Sequence, residues 1–249
     1  MIVKIIAPYS IKGGVGKTAV AVNLAYLAAR EGASTLLCDL DPQGSASYYF
    51  RVRPAKNLNR KKLLKGGKRI DRSIRGSDYD NLDLLPADLS YRNLDIALDK
   101  LKRSRRRLRT ILEPLKREYD YIFLDCPPNI TLLAENVFRA ADCVLVPCIP
   151  TTLSMRTFDQ LILFFRSKKL DRSKIIGFFS MVEKRKKLHR ESMQDSVTND
   201  LRFMESYIPY LSDIEHMGSR REPVACYRPG SPAARSFEDL WREIKSAIT

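Results

Sequence analysis

The chain has 249 residues, with 44 Lys and Arg against 29 Asp and Glu, so its formal net charge is +15. This length fits one large domain or two small ones, and an apolar content of 44% excludes a wholly disordered chain. The sequence has no apolar run of 18 residues, and its first residues predict no secretory signal. The excess of positive charge indicates a polyanionic partner.

Cysteine and histidine usage predicts reduced thiols and no metal site built from these residues. The five cysteines form no CxxC pair, and four of them lie in or beside apolar runs, where a thiol packs as a small hydrophobe. The two histidines, His189 and His216, are isolated. This pattern is typical of a cytoplasmic protein.

Short apolar runs alternate with helical patterns along the whole chain. Continuous apolar runs predict buried parallel strands at 3–7, 35–39, 121–125, 143–147 and 175–180, with weaker candidates at 82–85 and 207–208. The helical patterns lie at 17–31, 89–101, 104–118, 131–140, 153–168, 188–205 and 232–248. We therefore predict one α/β domain over 1–249, with a doubly wound, mostly parallel β-sheet flanked by helices.

Residues 51–75 depart from this pattern. Eleven of the 25 residues are Lys or Arg, and Gly66-Gly67 would interrupt a helix. The segment predicts a basic surface insertion or mobile loop.

A glycine-rich loop follows the first predicted strand and precedes the first helix. Its sequence is Lys12-Gly13-Gly14-Val15-Gly16-Lys17-Thr18. The backbone N–H groups of such a loop surround phosphate oxygens, a lysine at position 17 reaches the β- and γ-phosphates, and a Thr18 hydroxyl binds Mg²⁺. The loop departs from the general G-x-x-x-x-G-K-[ST] pattern because Ile11 replaces the first glycine and Lys12 follows it.

This loop resembles the deviant Walker A motif, KGGxGK[ST], of the ParA/MinD family of P-loop ATPases. The resemblance implies that ATP and Mg²⁺ are the cofactors and that ATP closes a homodimer in which Lys12 reaches the partner's phosphates. The residues implied to bind ATP in the loop are Gly13, Gly14, Val15, Gly16, Lys17, Thr18 and Ala19. Ala19 stands where the family often has a second threonine.

Two acidic motifs fall where the same family has its switch segments. Residues 37–44, LCDLDPQG, resemble the DxDPQG motif, and residues 122–129, IFLDCPPN, resemble the hhhhDxPP motif. The resemblance implies that Asp41 orients the attacking water, that Asp39 supports Mg²⁺ through its water shell, and that Asp125 holds the metal's coordination sphere. Carboxylates at the carboxyl ends of parallel strands face the ligand crevice of such sheets.

The resemblance continues beyond these motifs. Residues 140–147 are similar to the family's strand after switch II, and Tyr207-Ile208-Pro209-Tyr210 resembles the segment beside adenine. This implies that Pro209 and Tyr210 contact the nucleotide. The motifs are firm over roughly 10–50 and 119–160 and loose elsewhere.

Positive charge is concentrated in four places, namely 51–75, 100–117, 184–190 and a set of C-terminal arginines. ParA-like proteins build their DNA-binding surface from basic residues of the C-terminal half, and few aromatic residues interrupt these runs, which favours duplex backbone over single strands. The residues predicted to contact DNA are Lys184, Arg185, Lys186, Lys187, Arg190, Arg220, Arg221 and Arg235.

The main prediction is a ParA-like ATPase that binds nonspecific double-stranded DNA as an ATP-bound homodimer. A ParB-like or other adaptor protein would stimulate hydrolysis, and the protein would be cytoplasmic, nucleoid-associated and independent of membranes. It would segregate or position a plasmid, a chromosome or a protein assembly.

Three other functions remain open. The first is a MinD-like membrane-cycling ATPase, which the final helix disfavours because its polar face carries Glu238, Asp239 and Glu243 beside its two basic residues. The second is a reductase-type or cluster-carrying P-loop protein, which would need close cysteine pairs. The third is a binding module without ATPase activity.

Overall fold

The computed structural model describes residues 4–55, 58–198 and 202–248, apart from the side chains of 68, 69 and 196–198. Within these residues, seven strands form one sheet in the order β3-β4-β2-β5-β1-β6-β7. The strands are β1 (Lys4–Pro8), β2 (Thr35–Asp39), β3 (Arg75–Gly76), β4 (Leu82–Leu85), β5 (Tyr121–Asp125), β6 (Cys143–Cys148) and β7 (Ile175–Phe179). All neighbours are parallel except β3 and β4. The predicted doubly wound, mostly parallel α/β fold is confirmed.

Helices connect the strands and cover both faces of the sheet. They are α1 (Lys17–Arg30), α2 (Ser45–Tyr49), α3 (Arg60–Lys65), α4 (Lys68–Asp71), α5 (Leu94–Asp99), α6 (Arg107–Leu112), α7 (Leu132–Ala140), α8 (Thr152–Ser167), α9 (Lys187–Thr198), α10 (Ser212–Glu215), α11 (Met217–Arg220), α12 (Val224–Tyr227) and α13 (Pro232–Ile248). Short 3₁₀ helices lie at Leu89–Asn93, Ser104–Arg106, Pro114–Arg117 and Arg172–Lys174. No helix among the described residues is long and apolar enough to cross a bilayer.

The apolar core lies in two layers, one on each face of the sheet. Helices α1 and α13 fill one layer, and α5, α6, α7 and α8 fill the other. The final helix coincides with the predicted 232–248 and buries Phe237, Leu240, Trp241 and Ile244. The Trp241 indole N–H donates to Glu31 at the end of α1 at 3.1 Å, so this apolar stripe is used within the fold.

Three predicted helices are shorter than their patterns indicate. The 89–101 segment divides into a 3₁₀ helix at Leu89–Asn93 and α5 at Leu94–Asp99. The 104–118 segment divides into a 3₁₀ helix, α6 and a second 3₁₀ helix, because Pro114 lacks an N–H and cannot continue α6. The predicted 188–205 helix ends at Thr198, and Phe203 instead forms an isolated bridge with Gly177 of β7. Residues 199–201 lie outside the described part.

Two other segments also differ from prediction. Residues 207–208 are not one of the seven strands of the sheet, although the Ile208 N–H donates to the Phe179 carbonyl at 2.8 Å. Val182, beyond the end of β7, then forms an isolated parallel bridge with Pro209, so the pairing in this segment consists of single bridges. Within 51–75, where the sequence predicts a basic surface insertion or mobile loop, the structure contains the short helices α3 and α4, and Leu63, Leu64 and Ile70 are buried in the core.

Candidate functional site

The loop between β1 and α1 is shaped by two glycines in left-handed conformation. Gly14 has φ 70° and Gly16 has φ 90°, and a Cβ on Gly16 would lie 3.2 Å from the Ser180 hydroxyl. Glycine suits both conformations because it has no Cβ. Gly16 immediately precedes α1, so the loop leads into the positive end of the helix dipole, where phosphate groups bind well.

Lys17 lies under this loop. Its side chain is 7% exposed, and its Nζ donates to the carbonyl of Lys12 at 3.3 Å. Burial lowers the pKa of Lys17, while the carboxyl groups of Asp125 and Asp41 partly offset that shift. The ammonium group therefore lies between the phosphate loop and the acidic ends of the strands.

Asp39 and Asp125 end two neighbouring strands, β2 and β5, at paired positions of the register. Both are fully buried. One oxygen of Asp39 accepts hydrogen bonds from the backbone N–H and hydroxyl of Ser47 at 2.8 and 2.7 Å. The other Asp39 oxygen and both Asp125 oxygens have no hydrogen-bond partner at normal geometry among the described residues.

The electrostatics of this pair favour a bound cation. Burial raises the pKa of both carboxyl groups. The Asp39 charge raises the pKa of Asp125 further, whereas the hydrogen bonds from Ser47 oppose the rise in the pKa of Asp39. The Thr18 hydroxyl and Lys17 favour ionised Asp125. Oxygen ligands of this kind are those that Mg²⁺ prefers, so the residues present fit the metal. Thr18 and Asp125 would hold it, with Asp39 behind them.

Asp41 lies in a turn at the mouth of this group. Its side chain accepts from the Gln43 N–H at 2.9 Å, and its carbonyl accepts from the Gly44 N–H at 2.9 Å. The carboxylate is thus fixed in direction and only half-buried. Pro128 borders the loop from the other side, since a Cβ on Gly13 would lie 4.0 Å from its ring.

A narrow, mostly apolar cleft opens beside the start of α1. It is lined by Gly16, Ala19, Val20, Ser180, Met181, Ile208, Pro209, Tyr210, Leu211, Ile214, Glu215 and Phe237. Hydrogen bonds hold its wall in place, because Val182 donates to Ile208 and Tyr210 donates to Val182, both at 3.0 Å. The structure thus brings the predicted Pro209 and Tyr210 next to Gly16 and Ala19.

Lys12 is half-buried at the rim of the loop. Its ammonium group forms no ion pair with any residue in the described ranges. The Lys12 backbone N–H donates to the Ser10 hydroxyl at 3.3 Å, which fixes the backbone and leaves the side chain to extend from it.

The basic residues predicted to contact DNA fall into two groups. Residues 184–190 follow the wall of the cleft, where Lys186 pairs with Glu183, Lys187 pairs with Glu191 and Arg190 donates to two backbone carbonyls. Arg220 is exposed at the end of α11, and Arg221 follows it. Arg235 is exposed on the first turn of α13 and donates to the Gly230 carbonyl at 2.9 Å.

Sequence reasoning missed several residues of the site. Ser47, which fixes Asp39, belongs to a five-residue helix without an apolar period. Ser180, Met181, Leu211 and Ile214 line the cleft but come from loops and a short helix. The available sequence signals were weak: Leu211 and Ile214 follow the Pro209 segment, and Ser180 and Met181 follow β7. Tertiary contacts bring all four residues to α1.

One pH-dependent contact supports the 184–190 segment. The Glu183 N–H donates to Nδ1 of the buried His189 at 3.1 Å, so that nitrogen must be unprotonated. Burial lowers the pKa of His189, the Lys186 charge lowers it further, and Glu183 opposes both. The folded pKa lies below that of an unfolded histidine, so this stabilisation is present above about pH 6.5 and is lost as pH falls through the folded value.

We expect faster hydrogen exchange across residues 183–190 at pH 5 than at pH 7, after correction for intrinsic exchange rates. In His189→Asn, whose side-chain oxygen can accept the same bond without titrating, the acceleration should be absent. Equal acceleration in both proteins would show that His189 does not control the segment.

Comparison with known proteins agrees with this geometry. A family model described as an AAA domain matches residues 3–176, which is more than half of the chain. The sporulation initiation inhibitor protein Soj of Bacillus subtilis is 31% identical over 97% of this chain and 98% of its own length. The chromosome-partitioning ATPase Soj of Treponema pallidum is 32% identical over 94% of this chain and 93% of its own length.

Solved structures agree as well. A plasmid partition protein from Borrelia burgdorferi bound to AMPPNP is 26% identical, covers 98% of this chain and 99% of its own, and gives a TM-score of 0.82. The cell division ATPase MinD of Pyrococcus furiosus is 22% identical over 98% of both chains, with a TM-score of 0.77, and shares the fold. The motif loop, the paired strand-end carboxylates and these relatives show that the chain belongs to the ParA/MinD family of P-loop ATPases.

Proposed function

We propose that this protein is a ParA-like partition or positioning ATPase that hydrolyses Mg²⁺·ATP. The observation that carries the proposal is the buried Asp39–Asp125 pair, which faces the phosphate loop with three oxygens that lack partners among the described residues. Its relatives include chromosome-partitioning proteins and a plasmid partition protein bound to AMPPNP. Carboxylates buried in this way favour a bound cation, and the neighbouring loop at the start of α1 is suited to bind phosphates.

Different residues of the chain would have different roles in hydrolysis. The loop N–H groups and Lys17 would bind and orient the phosphates, and Asp41 would orient and polarise the attacking water. When bound, Mg²⁺ supplies neutralisation of the phosphate charge. Oriented donors of this kind lower the barrier because they need no reorganisation during the reaction.

The homodimer is the next part of the proposal. Lys12 lies at the rim of the loop, and its ammonium group forms no ion pair with any carboxylate among the described residues. That position suits a lysine that binds the phosphates held by a second copy of the chain. ATP would then join two subunits, and hydrolysis would release them.

Binding to nonspecific duplex DNA is the output of this cycle. The segment 184–190 begins two residues after Val182, whose backbone is hydrogen-bonded to Ile208 and Tyr210 in the wall of the cleft. Arg220, Arg221 and Arg235 supply further charge. A ParB-like or other adaptor protein would stimulate hydrolysis, and the protein would be nucleoid-associated. The burial of the apolar stripe of α13 supports this function over membrane cycling.

A pair of lysine variants separates nucleotide binding from dimerisation. Lys17→Ala removes a charged donor to phosphate, so ATP affinity should fall roughly tenfold to a hundredfold. Lys12→Ala should bind ATP nearly as well as the wild type but stay monomeric with AMPPNP in analytical ultracentrifugation. Normal dimerisation of Lys12→Ala would contradict the role of Lys12 in the partner's site.

Binding to DNA should depend on ATP. We expect the wild type to bind random duplex DNA more tightly with ATP than without nucleotide, with an affinity that falls steeply with salt. Fluorescence anisotropy of a labelled duplex measures both effects, and Lys17→Ala is the control. Unchanged binding without nucleotide would refute the ATP switch.

The cleft beside α1 can be tested as the adenine site. Ala19→Leu places a good helix former on α1 and fills the cleft, so ATP affinity should fall about tenfold or more, as expected when a side chain occupies a ligand's space. Inorganic tripolyphosphate, which has no base, should bind as before. Equal losses for both ligands, measured by calorimetry, would place adenine elsewhere.

A further inference from the structure

Most of the net charge lies outside the residues predicted above to contact DNA. Residues 60–72 and 100–109 together hold fourteen Lys or Arg and one Asp, so they account for thirteen of the fifteen net positive charges. By contrast, two of the five basic side chains in 184–190 pair with Glu183 and Glu191. The charge that is unusual in this sequence therefore needs its own explanation.

The fold joins the two charged segments into one surface. The guanidinium group of Arg107 at the start of α6 donates to the carbonyls of Leu64 and Lys65 at the end of α3, at 2.6 and 3.0 Å. A Cβ on Gly66 would lie 3.4 Å from the side chain of Ile111, so the two backbones pack closely. Although about 40 residues separate them in sequence, α3 and α6 thus present their charges side by side.

Helix α7 anchors the basic turn at 103–106, which precedes α6. The buried amide of Asn136 donates to the Ser104 carbonyl at 2.8 Å and accepts from the Leu108 N–H at 3.1 Å. The buried Glu135 lies 3.7 Å from the Arg105 guanidinium. These contacts fix the turn at both ends. An open cleft beside it is lined by Arg103, Arg105, Arg106 and Thr110.

Arg103 has a backbone conformation that arginine seldom adopts. Its φ of 58° and ψ of 36° lie in the left-handed region, where glycine is favoured. Its side chain is exposed at the tip of the turn and forms no ion pair with any described residue. The turn therefore carries an exposed charge at its tip.

The composition of this surface fits a phosphate backbone. Leu63, Leu64 and Leu108 are buried and Leu101 is 36% exposed, so most of the side chains that face solvent are cationic. Protein interfaces depend on buried aromatic and apolar anchors at their centre, whereas duplex backbone needs only cations spaced along a surface. Among its described cations, Arg105 forms the one ion pair.

We propose that these cations form a second contact surface for the phosphates of duplex DNA, which we call the α3–α6 face. It is made of Arg60, Lys61, Lys62, Lys65, Lys102, Arg103, Arg105, Arg106 and Arg109. The proposal rests on the DNA binding described under Proposed function, and it adds a surface that the C-terminal basic residues do not include.

A charge-matched pair of double variants tests the face. Arg103→Gly/Arg106→Gln removes two charges from it and relieves the backbone of Arg103. Lys169→Gly/Arg166→Gln is the control, because Lys169 also has a left-handed backbone, with φ 51°, and both control residues are exposed outside the face. Both variants should melt at or above the wild-type temperature and hydrolyse ATP at the wild-type rate.

Duplex binding with ATP, measured across a salt series, distinguishes the outcomes. In the face variant we expect the slope of log affinity against log salt to be at least about 2 smaller in magnitude than in the wild type, with affinity at least tenfold weaker, because each phosphate contact contributes about 0.9 to that slope and each subunit of the dimer loses two charges. The control should keep the wild-type slope. Equal slopes in both variants would overturn the face and leave the proposed function standing.

Two other results would be equally decisive. If the wild type itself binds no duplex with ATP, the proposed DNA binding fails and the face fails with it. If the face variant keeps its DNA slope but loses binding to poly-glutamate, the surface serves an acidic peptide and the proposal is wrong.

Discussion

The burial of two carboxyl groups at the ends of neighbouring strands is the constraint on which the site depends. Parallel pairing of β2 with β5 places Asp39 and Asp125 side by side, with no solvent to separate their charges. Burying unpaired carboxylates is costly, and one lysine does not satisfy three free oxygens. The folded protein therefore holds buried negative charge that a cation bound to phosphates would neutralise.

The same pair connects the nucleotide site to the basic surface. Asp39 accepts both hydrogen bonds of Ser47, which lies in α2. The next residue, Tyr48, accepts a hydrogen bond on its carbonyl from Arg221 at 3.0 Å, and the Arg221 guanidinium stacks on its ring at 4.4 Å. One short helix thus contacts Asp39, which belongs to the proposed magnesium site, and Arg221, which is a proposed DNA contact.

Local patterns predicted the parts of the fold that local forces determine. The buried strands, the loop from Lys12 to Thr18 and the final helix each carry their signal in consecutive residues. The cleft and Ser47 were not predictable in this way, because they depend on which loops meet at α1 and β2. The contact between α3 and α6 through Arg107 also depends on tertiary structure. Residues 60–72 and 100–109 look like separate solvated segments in the sequence, but this contact places much of the +15 net charge on one surface.

The most direct test of the central claim compares the effect of Mg²⁺ on the ATP-bound wild type and Asp125→Asn, with the exposed Asp80→Asn as the control. Melting temperatures are measured with no ligand, with ATP in EDTA, and with ATP and Mg²⁺. The account predicts that Mg²⁺ raises the melting temperature of the wild type and the control well above that with ATP alone, and that this increment nearly disappears in Asp125→Asn. Without ligand, Asp125→Asn should melt at or above the wild-type temperature, because a buried carboxylate has been removed. An equal Mg²⁺ increment in all three proteins would contradict the account.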